Sequence, residues 1–162
     1  MKNLLLTLLI TLSTTILAKT PVSLFGVYIN DNVLDYVTQE ELKSKWEALG
    51  RGFYTLELKN LPVSNMYVYV VFDKNNKIVH ILSQKEFQNI ETCKQVEYGV
   101  RRALEKKYNF EFDEIELPRM SYSFQELVED NVMMTTQCLV ISDDITMLSI
   151  AIQTEEYLDN LF

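Results

Sequence analysis

The chain has 162 residues, 48% of them hydrophobic, with 23 acidic against 15 basic side chains and a formal net charge of -8. That length suits one domain, and the hydrophobic content excludes a disordered chain, which could not bury enough apolar surface to offset its conformational entropy. The negative charge disfavours non-specific contact with nucleic-acid phosphates and with anionic membrane surfaces.

Met1-Lys2-Asn3 is a short positive start, Leu4 to Leu17 is an apolar stretch relieved by hydroxyl residues, and Ala18 precedes the polar Lys19-Thr20. This is the pattern of a secretory signal peptide. Residues 1–18 are therefore expected to be removed, leaving residues 19–162 as one domain in the periplasm or outside the cell. Removal of Lys2 with the leader takes the net charge from -8 to -9. Retained, the same stretch would be a membrane anchor; its hydroxyl residues and the missing second basic flank favour cleavage, although Ile16 stands where a small residue is usual. No cysteine near Ala18 offers a site for lipid attachment. Export gives meaning to Cys93 and Cys138, the only two cysteines. In an oxidising compartment they are expected to be bridged, at a gain of roughly 3–4 kcal/mol, rather than to remain two buried thiols. Their spacing is not that of a Cys-x-x-Cys redox pair.

In chain order, Ser23 to Ile29 reads as a first strand, Asn30-Asp31-Asn32 as a turn, and Val33 to Val37 as a short helical turn. Thr38 and Glu41 have capping-box spacing, Val37 and Leu42 are placed as a staple, and Leu42, Trp46 and Leu49 recur at helical spacing before Gly50. A helix over 39–49 is expected. Phe53 to Lys59 alternates as a strand closed by Asn60-Leu61-Pro62. Met66 to Phe72 is apolar on both faces and pairs through the turn Asp73-Lys74-Asn75-Asn76 with Lys77 to Leu82, a hairpin with a central strand.

A second helix is expected over 91–108, with Cys93, Val96, Val100, Ala103, Leu104 and Tyr108 as its apolar stripe and Lys106 and Lys107 suiting its end. Phe110 to Leu117 alternates with acids and stops at Pro118, as an edge strand would. Ser123 and Glu126 repeat the capping-box spacing and predict a short helix. Val132 to Ile141 and Ile145 to Gln153 flank Ser142-Asp143-Asp144 as a final hairpin with Cys138 mid-strand, and the tail from Glu155 is a short helix or frayed end.

The expected fold is α+β: two main helices packed on one face of an antiparallel sheet built from hairpins, in helix-hairpin-helix-hairpin order, burying Trp46, Leu49, Val96, Val100 and Leu104. In element order alone, this layout resembles the helix-plus-hairpin units of β-lactamase-inhibitor-like and outer-membrane assembly lipoprotein domains. No motif residue accompanies the resemblance, so no functional residue is carried over.

Chemistry is sparse. His80, the only histidine, sits in a strand without a nucleophile elbow, and reads as structural or superficial. The acidic pairs Glu40-Glu41, Asp113-Glu114, Asp143-Asp144 and Glu155-Glu156 fall at a helix start, an edge, a turn and a tail, where solvated charge belongs. Asp73-x-Asn75-x-Lys77 begins like a calcium loop but puts lysine where an oxygen ligand is needed. No metal site, cofactor or catalytic residue is assigned. Tyrosine is abundant, and Tyr54, Tyr67 and Tyr69 are the candidate binding face, tyrosine joining an apolar ring to a polar tip; otherwise they are half-buried sheet or lie under a helix.

The expected function is a non-enzymatic binding or accessory protein acting on a cell-envelope or protein partner, with no nucleic acid and no stable membrane insertion after cleavage. The alternatives are a small hydrolase with an unrecognised active site and an apolar small-ligand carrier. Converging carboxylates with His80 would mark the hydrolase, an enclosed apolar cavity the carrier, and a flat exposed aromatic patch the binder.

Overall fold

The computed structural model describes residues 21–48, 52–59, 61, 65–117, 119–127 and 131–160. The leader over 1–18 with its boundary at Lys19, the Leu49-Gly50 helix stop, the turn residues Asn60 and Pro62, and the strand stop at Pro118 lie outside the described residues. A small hairpin, β1 (Ser23–Leu24) and β2 (Val27–Tyr28), opens the description. Eight strands follow: β3 (Trp46–Ala48), β4 (Phe53–Glu57), β5 (Tyr67–Phe72), β6 (Ile78–Phe87), β7 (Asp113–Leu117), β8 (Met120–Leu127), β9 (Val132–Ser142) and β10 (Ile145–Thr154). They form one antiparallel sheet in the order β3-β4-β5-β6-β10-β9-β8-β7. Two four-stranded meanders thus meet at the β6–β10 pair, joined by α1 (Ile90–Tyr108), and α2 (Glu155–Asp159) follows the last strand.

This corrects the expected α+β fold. Among the described residues the molecule is mostly β, with one main helix of 19 residues and not two helices on a sheet. The first expected helix fails although its capping box forms: Thr38 N–H and its hydroxyl donate to Glu41 Oε2 at 2.8 and 2.9 Å, and Glu41 N–H donates to Thr38 Oγ1 at 3.2 Å. Only a 3₁₀ turn over Glu41–Ser44 results. At Lys45 the backbone becomes extended, and Trp46, Glu47 and Ala48 pair with Thr55, Tyr54 and Phe53. A helix of about three turns is marginal without a partner to pack on, whereas a third strand satisfies the otherwise free backbone edge of β4. Trp46 is accordingly 51% exposed rather than core. The short helix expected at Ser123 is likewise β8, in which Ser121 and Ser123 face inward and Tyr122 and Phe124 alternate with them. With the first helix gone, the resemblance drawn from element order lapses.

The second helix forms as expected. Asn89 caps it by accepting from Thr92 N–H at 2.9 Å, and Asn109, with φ 57°, ends it in the left-handed conformation. Its buried residues are Cys93, Glu97, Arg101 and Leu104, so the inward stripe is rotated from the expected one: Val96 and Ala103 face solvent. α1 lies across β6, β10 and β9. Under it and the β1–β2 hairpin sits the core, including Val68, Val70, Phe72, Ile81, Leu148 and Ile150. Cys93 and Cys138 form the expected disulfide, with Cα atoms 6.0 Å apart, pinning α1 to β9. Among the described residues, no helix is long and apolar enough to cross a membrane.

Candidate functional site

Because side chains alternate across a pleated sheet, the strand registers sort every residue to the inner, helix-bearing face or to the outer face. Two places stand out, one on each.

On the inner face, α1 lowers two charges into the sheet. Glu97 is 4% exposed and Arg101 8%. The Glu97 carboxylate accepts from Thr136 Oγ1 at 2.6 Å, Ser121 Oγ at 3.1 Å and Ser123 Oγ at 3.3 Å. Arg101 Nη1 donates to Ser123 Oγ at 3.1 Å and pairs with the half-exposed Glu114. Its Cζ stands 5.4 Å from the Tyr98 ring centroid, and its buried Nε has no hydrogen-bond partner. Glu97, Tyr98, Arg101, Glu114, Ser121 and Ser123 border an open cleft of about 360 Å³ between α1, β7 and β8. A buried carboxylate is tolerated only when its lone pairs are met, and three hydroxyls meet them here. All three hydroxyl protons point at Glu97, so the serines are held as donors and the network orders helix against sheet. Residue-type reasoning misses it because Glu97 and Arg101 read as a solvated face. The available signal is their i, i+4 spacing in line with Cys93 and Leu104.

The outer face differs. Cross-strand register aligns Tyr67, Gln84, Ser149, Gln137, Tyr122 and Ile115 in one uncharged row spanning six strands. The neighbouring row runs Tyr69, Leu82, Ala151, Thr135 and Phe124, with acids only at its two ends, Glu57 and Asp113. Of the expected binding residues, Tyr67 and Tyr69 lie here, Tyr67 being 54% exposed. Tyr54 does not: it pairs with inner-face Phe72, its ring 5.9 Å from that phenylalanine's, with the Lys45 ammonium 4.1 Å from its centroid. Trp46 joins the outer group instead, edge-on to Tyr69 at 6.5 Å.

α2 covers one end of this face. Tyr157 packs there with Phe53, Val71 and Val79, its ring 4.8 Å from His80. His80 is part-buried as a residue, yet both ring nitrogens are sealed from water without hydrogen-bond partners. Burial therefore pushes its pKa down to about 4 and keeps the ring neutral. It lies apart from the carboxylates of the cleft, so they and His80 do not converge. Asp73, where the sequence begins like a calcium loop, instead closes the β5–β6 turn: its Oδ1 accepts from Asn75 and Lys77 N–H. Among the described residues, no group of three or more potential ligands is placed to hold a metal ion. No family model, curated protein or solved structure matches the chain, and geometry alone informs its function.

Proposed function

We propose that this chain is an exported, non-enzymatic binding protein that takes a protein or cell-envelope partner on the aromatic end of its outer sheet face. The observation behind this is the Trp46–Tyr67–Tyr69 group, in which two large rings stand about half in solvent on strands β3 and β5, with no described element packed over them. Aromatic side chains so placed offer large, rigid contact area at low entropic cost. The Cys93–Cys138 bridge supports an oxidising compartment, and the leader-like residues 1–18 supply the route there. The acidic chain favours a partner without an anionic surface.

The test is in-cell cross-linking in a bacterial host from which the chain is exported. Wild type should give a discrete adduct in the envelope or the medium, and Trp46→Ser with Tyr67→Ser should lose it at unchanged protein level. Mass spectrometry should find the exported chain beginning near Lys19. An adduct indifferent to both substitutions would remove the aromatic group from the binding surface, and a chain found intact in a membrane fraction would end the export proposal.

A further inference from the structure

The two buried charges of the cleft between α1, β7 and β8 are not in the same condition. Glu97 is closed, with two hydroxyls donating to Oε1 and one to Oε2. Arg101 is not. Its contacts with Ser123 and Glu114 are both made by Nη1. Its Nε–H is sealed from water and has no hydrogen-bond partner among the described residues. Nε and the neighbouring Nη2 form the edge of a guanidinium across which a carboxylate binds by two parallel N–H···O bonds. A buried cation keeps an unmet donor only at a cost in desolvation, so this edge is where the cleft can take a ligand. The Tyr98 ring lies against the same guanidinium, 5.4 Å from Cζ and one turn before it on α1. It is also more than half exposed, and an exposed side chain changes rotamer readily. Rotation of that ring into solvent would open the edge without disturbing the sheet.

We propose that this cleft binds a free α-amino acid, with the carboxylate on the Nε edge of Arg101 and the ammonium on Glu114. The site lies on the helix-bearing face and stands independently of the partner proposed for the aromatic end. The unmet donor selects an anionic acceptor. Glu114 selects a cation beside it: this carboxylate is half-exposed and meets Arg101 through Oε1, so Oε2 can accept an ammonium. Because Arg101 and Glu114 touch, the two ligand charges must also be neighbours, as they are in an α-amino acid and are not at the two ends of a peptide. Charge balance points the same way. Lys94 and Arg101 line the cleft with Glu97 and Glu114, so its wall carries no net charge. Phosphates and dicarboxylates would meet two carboxylates there, on a chain that is already acidic. Size agrees, since about 360 Å³ lies at the lower end of the roughly 300–1,000 Å³ of small-molecule sites. The cleft stands at the β7 end of the sheet, and the Tyr98 ring offers an apolar side chain a surface to lie on.

The test follows the unmet proton itself. In isotope-labelled, disulfide-intact protein the Arg101 Nε–H resonance is assigned through bonds and followed during titration with L-phenylalanine, hydrocinnamate and phenethylamine. L-phenylalanine should shift it saturably, with a dissociation constant on the order of 1 mM for one bidentate and one single ion pair in an open cleft. Hydrocinnamate, which lacks the ammonium, should bind about tenfold more weakly. Phenethylamine, which lacks the carboxylate, should leave the resonance in place. Glu114→Gln, a change at a half-exposed position of the last strand, should abolish the difference between L-phenylalanine and hydrocinnamate without weakening the latter. Tyr98→Ala should speed exchange of the Nε proton with water at least ~10-fold, with an unchanged circular dichroism spectrum. The absence of a saturable shift with L-phenylalanine well above the expected constant would overturn the proposal. Equal binding of the two carboxylates by the wild type, a shift with phenethylamine, or a Glu114→Gln protein that still prefers L-phenylalanine would each do the same. An Nε proton that exchanges no faster without the Tyr98 ring would overturn the route by which the ligand enters.

Discussion

The two faces of the sheet use the same strands and opposite chemistry. Inward, β5, β6 and β10 present Val68, Val70, Ile81, Leu148 and Ile150, while the hydroxyls of Ser121, Ser123 and Thr136 beneath α1 all answer Glu97. Outward, alternate residues of the same strands are mostly aromatic, aliphatic, amide or hydroxyl and partly in solvent, with Glu86 charged at the edge and α2 over the end that holds Val71 and His80. The lesson is that burial and composition can part. The inner face is apolar because it is covered. The outer face has the composition of a covered surface where no part of the described chain covers it, and that mismatch is the reason to place function there.

If this division is right, changes on the inner face should show in stability and changes on the outer face in association. The largest expected effect is loss of the Cys93–Cys138 bridge. It closes a loop with a sequence separation of 45 between α1 and β9. Replacing both cysteines by alanine should cost about 4 kcal/mol on the chain-entropy model, read as a lower urea midpoint with a changed unfolded baseline. A change of only a few tenths would mean that the inner face is held together without the bridge.

The next effect is at Glu97. Substitution by alanine strands the three buried hydroxyl donors of Ser121, Ser123 and Thr136, at an expected cost of about 3 kcal/mol. Glu97→Gln retains an acceptor oxygen and should lose roughly half as much. Equal losses for the two variants would mean that the negative charge, not the hydrogen bonding, is what α1 contributes here.

How much of this is legible in the sequence follows from where each partner lies. Local signals hold where they need no distant arbiter. Met66 to Phe72, apolar on both sides, is a central strand; the last hairpin and α1 stand within a residue or so of their expected bounds; and Cys93 on an inward stripe meets a mid-strand Cys138. Local signals fail where long-range pairing decides. The 4-and-3 spacing of Leu42, Trp46 and Leu49 is helical, but Trp46 is claimed by Thr55 of β4 and by the Tyr69 ring, neither visible in an eleven-residue window. The Glu97 network hides for the same reason, since its partners stand 24 to 39 residues away on two strands. Tyr54 groups with Tyr67 and Tyr69 by residue type alone; face depends on register, and a one-residue difference in register reverses it.

His80 sharpens the comparison from the one covered patch of the outer face. Its ring is neutral beneath Tyr157 with a pKa near 4, against about 6.5 when unfolded. The folded pKa is the lower, so the unfolded chain takes the proton first. The stability from a neutral His80 is fully present above pH about 6.5 and is lost as pH falls from there to about 4, by roughly 2–3 kcal/mol. Melting temperatures should fall across that window in wild type and fall less in His80→Phe, which keeps a ring against Tyr157. Parallel pH profiles for the two proteins would show that other groups, not this histidine, set the acid sensitivity.

The smallest expected effect on stability is at the aromatic end, and its smallness is the point. Tyr67 is more than half exposed, and Tyr69 is only part-buried against Trp46. Changing both to serine removes little buried area and one edge-on ring contact, at a cost of no more than about 1 kcal/mol. Against the losses expected at Cys93 or Glu97, that change should barely move a denaturation curve. Partner cross-linking should nonetheless disappear, because exposed aromatic anchors contribute a large part of contact energy when desolvated by a partner. The two readouts must separate in the same protein sample. If the double variant instead unfolds several degrees earlier, Tyr67 and Tyr69 are packing residues of the sheet, the outer face is no more than an unusually apolar solvated surface at that end, and the binding proposal loses the residues on which it stands.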